Sequence, residues 1–70
     1  MSTWSSVKAR RLFAALERIG WSVSRQSGSH RTMVKPGWAP VTFAFHDRDE
    51  VGSAMLAKIS KKTGLRPEDL

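Results

Sequence analysis

Apolar residues recur at helical spacing through the first part of the chain. Ala9, Leu12, Phe13, Leu16 and Ile19 form one stripe, which predicts an amphipathic helix with a single buried face. Ser5 or Ser6 offers an N-terminal cap, and Gly20 follows the last apolar position as a stop. Lys8, Arg11 and Arg18 fall on a different side of this helix, with Arg10 nearby. The period then changes to two. Trp21, Val23 and Arg25 alternate with Ser22, Ser24 and Gln26, which predicts a strand, and Ser27-Gly28 marks a turn. His30, Thr32 and Val34 alternate with Arg31, Met33 and Lys35 in a second strand, so the two form a hairpin. After the turn Pro36-Gly37-Trp38-Ala39-Pro40, a third strand alternates Val41, Phe43 and Phe45 with Thr42, Ala44 and His46. Its aromatic face is expected to meet the helices.

Asp47-Arg48-Asp49-Glu50 reads as a charged loop. A second helix is expected from Gly52 or Ser53 to Thr63, with Met55, Leu56 and Ile59 inward and Lys58, Lys61 and Lys62 outward. Gly64 caps it, Leu65 adds the apolar contact that follows such caps, and Pro67 opens one extra turn. Residues 1–4 read as a short lead, 66–70 as a tail, and 1–70 as one domain. The predicted order is helix, three antiparallel strands, helix. Two helices on one face of a small sheet make an α+β fold, the α-β-β-β-α architecture of the double-stranded-RNA-binding domain.

Charge narrows the partners. The 70 residues carry a net charge of +6, a bias that favours a polyanion. Nucleic acid comes first, an acidic protein second and an anionic membrane surface third; the plain alternative is a solubilising surface. Without cysteine there is no disulfide framework and no thiolate metal site. The two histidines and six acids are scattered, so no metal and no cofactor are expected. No run is apolar enough to span a membrane, and the N-terminus lacks the apolar region of a signal peptide. A cytoplasmic protein with no membrane partner and no small-molecule ligand is expected.

Candidate chemistry centres on His30, just past the basic, glycine-containing bend Arg25-Gln26-Ser27-Gly28-Ser29. An imidazole exchanges protons near neutral pH, and arginines beside it would meet a phosphodiester. Arg25, Arg31 or Lys35 would stabilise charge on phosphate, and the Gly28-Ser29 bend would let backbone N–H groups approach it. Metal-free RNA cleavage commonly employs two proton carriers. His46 is the candidate for the second, because antiparallel pairing brings the start of one strand near the end of the next. The alternative is that His46 ends its strand or caps the following loop. Lys8, Arg11, Arg18, Lys58, Lys61 and Lys62 read as a phosphate-tracking surface, or else as solvated helix faces. Trp21 is expected at the helix–strand junction, and Trp38 in an exposed turn where bases can stack.

Leu16, Gly20-Trp21, Arg25-Gln26, Gly28-Ser29-His30, Pro36-Gly37, His46 and Ile59-Ser60-Lys61-Lys62-Thr63-Gly64-Leu65 occur in an order that resembles the HicA, or YcfA-like, messenger-RNA interferase toxins. Gly-Ser-His after a basic strand is the most specific element. The resemblance implies a double-stranded-RNA-binding-like fold and ribosome-independent endoribonuclease activity with the catalytic histidine at His30. It also implies a HicB-type antitoxin that covers that histidine. Two departures stand out: the loop Asp47 to Glu50 is more acidic than the usual basic stretch, and the second helix begins earlier. The rival readings are a non-catalytic RNA-binding module of the same fold and a basic adaptor that docks an acidic protein.

Overall fold

Helix α1 (Ala9–Arg18) buries the predicted stripe: Ala9, Leu12, Phe13, Ala15 and Leu16 are all inaccessible or nearly so. It is preceded by a short strand β1 (Val7–Lys8) and followed by β2 (Ser22–Ser27), β3 (His30–Val34) and β4 (Val41–Ala44). Then come a short β5 (Glu50–Val51), helix α2 (Ser53–Thr63) and a 3₁₀ turn at Pro67–Asp69. These elements are those of a computed structural model, which describes residues 3–70. β2, β3 and β4 form an antiparallel sheet in that order, and β1 pairs with β5 in a second, two-stranded sheet. The fold is α+β, with the α-β-β-β-α order of the double-stranded-RNA-binding domain.

The pleat sorts the main sheet into two faces, since directly paired residues share a face. Met33 is fully buried and Phe43 nearly so, so the face carrying them meets the helices. Phe13 of α1 meets Phe43 edge-on at 5.7 Å between ring centres. Leu56 and Ile59 of α2 complete this core. The other face is open.

The sequence misplaces the start of α1. No serine caps it; residue Lys8 holds the N-cap position in extended conformation and makes no side-chain cap. Instead the Ala9 N–H donates to the carbonyl of Asp49 at 2.8 Å and the Arg10 N–H to that of Asp47 at 3.1 Å. Helix termini must satisfy these donors somewhere, and here a distant loop does so. β1 and β5 were likewise invisible to periodicity, being two residues each. Of the expected lead, Met1 and Ser2 lie outside the described residues, whereas Trp4 packs against the core. Leu70, assigned to a tail, does the same. Met55 was expected inside α2 but is 44% exposed.

A buried knot joins the two ends of the helical layer. Trp21, 2% exposed, donates its indole N–H to the Thr63 carbonyl at 3.0 Å. The Thr63 hydroxyl donates to the Ile59 carbonyl and accepts the Leu65 N–H. Gly64 has φ of +75°, the left-handed conformation that ends α2. Trp38 closes the knot from outside. It meets Trp21 edge-on at 6.0 Å, and a Cβ on Gly64 would come within 3.0 Å of its ring.

Trp21→Phe removes the indole N–H together with part of a buried ring and strands the Thr63 carbonyl, so it is expected to lower the unfolding free energy by about 2–4 kcal/mol. Urea unfolding monitored by far-UV circular dichroism measures this; an unchanged midpoint would show the bond to be dispensable.

Candidate nucleic-acid face

The hairpin between β2 and β3 builds the site. Gly28 has φ of +58°, and among the described residues no non-glycine has positive φ. A positive φ at the first of two turn residues alone is the type II′ pattern, which suits the twist of paired strands. The turn fixes the register: Ser27 lies opposite His30, Gln26 opposite Arg31 and Arg25 opposite Thr32. On the other side of β3, Ala44 lies opposite His30 and Thr42 opposite Thr32.

His30 therefore stands on the open face of the sheet, exposed, between two small neighbours, Ser27 and Ala44. Arg25 is its diagonal neighbour across the strand pair, within reach of a long side chain. The Thr32 and Thr42 hydroxyls, hydrogen-bonded to each other at 3.0 Å, lie one step along the same face. Neither threonine stood out in the sequence. Their signal is parity: Thr32 is two residues from His30, and the register brings Thr42 beside it.

Simple alternation places Arg25 with Trp21 and Val23, towards the core. The structure does not. The register shifts between Val23 and Arg25, leaving Ser24 as the extra residue of a β-bulge. Val23 opposite Met33 shares the helix-side parity but is 42% exposed and outside the core, and Arg25 opposite Thr32 faces outward beside His30.

Other expected members lie elsewhere. Arg31 is on the helix side of β3. Its guanidinium stacks 4.0 Å from the centre of the Phe13 ring and reaches the Asp47 carboxylate at 3.5 Å. Its side chain is only 16% exposed, a packing arrangement that suits a planar cation. Lys35 follows the far end of β3, roughly 16 Å from His30 by strand rise. Its ammonium sits 5.4 Å from the Trp38 ring. His46 lies past the end of β4, in a turn where its N–H donates to the Asp49 carboxylate at 2.8 Å. It lines a shallow depression with Gln26, Arg31 and Asp47, to which His30 does not contribute. No strand pairing joins the two histidines, since His46 lies beyond the paired residues of β4. Gly28 and Ser29 form the turn beside His30 and border that depression as well.

The basic surface divides in two. Arg11 and Arg18 donate to the carbonyls of Leu70 and Asp69, at 3.0 and 2.6 Å, and so hold the C-terminal turn. Lys8 pairs with Glu50 and reaches the Arg48 carbonyl. Lys58, Lys61 and Lys62 are exposed on α2. Among the described residues no three His, Asp or Glu side chains gather as a metal site would need. No helix is long and apolar enough to cross a membrane.

No curated protein and no solved structure matches the chain. A family model described as the HicA toxin of bacterial toxin–antitoxin systems matches residues 9–65. That span runs from the first residue of α1 to the Leu65 contact that closes α2, taking in the whole open face. The chain therefore belongs to the HicA toxin family of bacterial toxin–antitoxin systems.

Proposed function

We propose that this toxin is an endoribonuclease that cleaves messenger RNA without a metal, with His30 as its proton carrier. The observation that carries the reading is the open-face placement of an exposed imidazole at a tight turn, with the Arg25 guanidinium diagonal to it. In the proposed reaction the ribose 2′-hydroxyl loses its proton and its oxygen attacks the adjacent phosphorus. The bond from phosphorus to the 5′-oxygen breaks, and that oxygen takes up a proton. The products are a 2′,3′-cyclic phosphate and a 5′-hydroxyl end. His30 serves as base for the first proton or acid for the second. Arg25 stabilises the charge that accumulates on the phosphate oxygens. Ser27 and Ala44 are small enough to leave the imidazole open to a strand lying across the sheet. A HicB-type antitoxin, the protein partner that family membership entails in its general form, would silence the toxin by covering this face. A cytoplasmic location follows from a messenger-RNA substrate.

One observation favours a second reading. His30 is the one histidine among the residues that the register places on the open face. A non-catalytic RNA-binding module would need no second proton carrier.

Purified wild type and His30→Ala, both shown to be folded, are to be incubated with single-stranded RNA in excess EDTA. The wild type is expected to cut, and the variant to be slower by about 10²-fold or more. Equal cutting by both would remove His30 from the chemistry. Products with 3′-hydroxyl and 5′-phosphate ends would exclude the cyclic-phosphate route. Salt-sensitive binding without cleavage by either would favour the module.

The two arginines of the hairpin should separate cleanly. Arg25→Ala is expected to slow cleavage by about tenfold, as loss of one charged hydrogen bond does, with an unchanged urea midpoint. Arg31→Ala is expected to lower the unfolding free energy by about 2 kcal/mol through loss of its packing on Phe13. The reverse pattern would reassign both residues.

A further inference from the structure

The main sheet has two edges, and they differ. β2, at one edge, carries the charge of Arg25 and the bulge at Ser24, two devices that discourage strand addition. β4, at the other edge, reads Val41-Thr42-Phe43-Ala44, with no charge, no proline and a regular register. A strand directs every second residue's N–H and C=O away from its neighbour, so an unpaired edge offers a row of donors and acceptors.

A groove of about 300 Å³ runs between this edge and α2. Phe43, Phe45 and Ile59 form its floor, Met55 its outer wall, and Lys58 and Lys62 its rim. A second depression continues it past Val41 and Thr42 to Trp38, with Lys61 beside Lys62. No carboxylate lines either one. Among the described residues Lys58, Lys61 and Lys62 form no ion pair, although four other cation–carboxylate contacts occur. Three unpaired ammonium groups thus border an apolar trough beside an open strand edge.

We propose that the β4 edge and the adjoining face of α2 receive an extended, acidic peptide segment of a protein partner, added to the sheet as a fourth strand. Main-chain pairing along β4 supplies affinity, as in other strand-addition complexes. Alternate apolar side chains of the segment fill the trough over Phe43, Phe45 and Met55. Carboxylates on that same face of the segment, flanking the apolar side chains, meet the lysines at the rim of the trough, which sets the sign of the partner's charge. RNA fits this surface less well, because a sugar-phosphate chain would leave the strand's outward groups unpaired and set phosphates against Phe45 and Met55. The site is separate from the His30 face and does not require that His30 be catalytic.

The test uses the full ¹⁵N-labelled chain and a capped peptide about seven residues long to match a strand, with glutamate and valine sharing one face and threonine on the other. Amide shifts are expected to be confined to residues 41–45 and 55–62. A peptide with lysine in place of glutamate, and one N-methylated at alternate amides, should each fail to reproduce them. Lys58→Glu combined with Lys62→Glu should weaken binding by about tenfold, two exposed charge pairs being lost. If that variant does not fold, the two control peptides on the native chain decide the matter. Absence of shifts at about 1 mM peptide, shifts centred on residues 25–32, or equal binding of the lysine peptide would each overturn the proposal. So would an oligouridylate that shifts the same groove amides and displaces the peptide, which would make the surface an RNA track.

Discussion

A helix that starts without a side-chain cap needs acceptors for its first N–H groups, and in this protein they come from a loop some forty positions later. The carbonyls of Asp47 and Asp49 fill that role for α1. Much of the architecture is tied to this one requirement. Holding the loop against the helix brings Val51 opposite Val7 and Glu50 opposite Lys8, which creates the small second sheet. It also presents the Asp47 carboxylate to Arg31 and the Asp49 carboxylate to the His46 N–H. The acidic side chains of this loop have internal partners at Asp47, Asp49 and Glu50. The loop is a structural brace, and its negative charge is largely engaged at home.

The opposite end of the helical layer is fixed by a different means. There an indole N–H, a threonine hydroxyl and a left-handed glycine satisfy the last groups of α2 inside an aromatic enclosure. With α1 braced at its start and α2 locked at its end, both helices sit on one side of the sheet. The other side is left bare, so the chemistry proposed for His30 falls on a surface that contributes little to the core. His30 is exposed and makes no core contact, whereas Arg31, one residue away, packs its guanidinium on Phe13 and reaches Asp47.

Periodicity revealed most of this fold. The helical stripe from Ala9 to Leu16, the alternation around Met33 and Phe43, and the stops at Gly20 and Gly64 each carried a local physical signal that survived folding. Contacts between distant segments carried none. β1 and β5 are too short for a pattern, and the α1 cap comes from main-chain atoms that any residue possesses. Within the candidate site, His30, Gly28 and Ser29 were legible from the turn chemistry. Arg31 was readable by parity, since it alternates with His30 and shares a face with Met33, but its charge suggested a ligand and not a core residue. Aliphatic burial of its stem and stacking of its planar head reconcile the two. His46 lies two residues past the end of β4 at Ala44, so the strand register that places Ala44 beside His30 does not extend to it.

The bulge at Ser24 divides β2 into two segments that answer to different constraints. Upstream, Trp21 and Val23 are phased by the core; downstream, Arg25 and Ser27 are phased by the Gly28 turn. These two clocks disagree by one residue, and the unpaired serine absorbs the difference. The alignment of Arg25 with His30 is therefore insulated from how the core is packed. A chain one residue shorter at that point would need no bulge and would still present the same pair. The turn thus sets which residue of β2 meets His30, while Met33 and Phe43, buried on the other face, set the phase of His30's own strand.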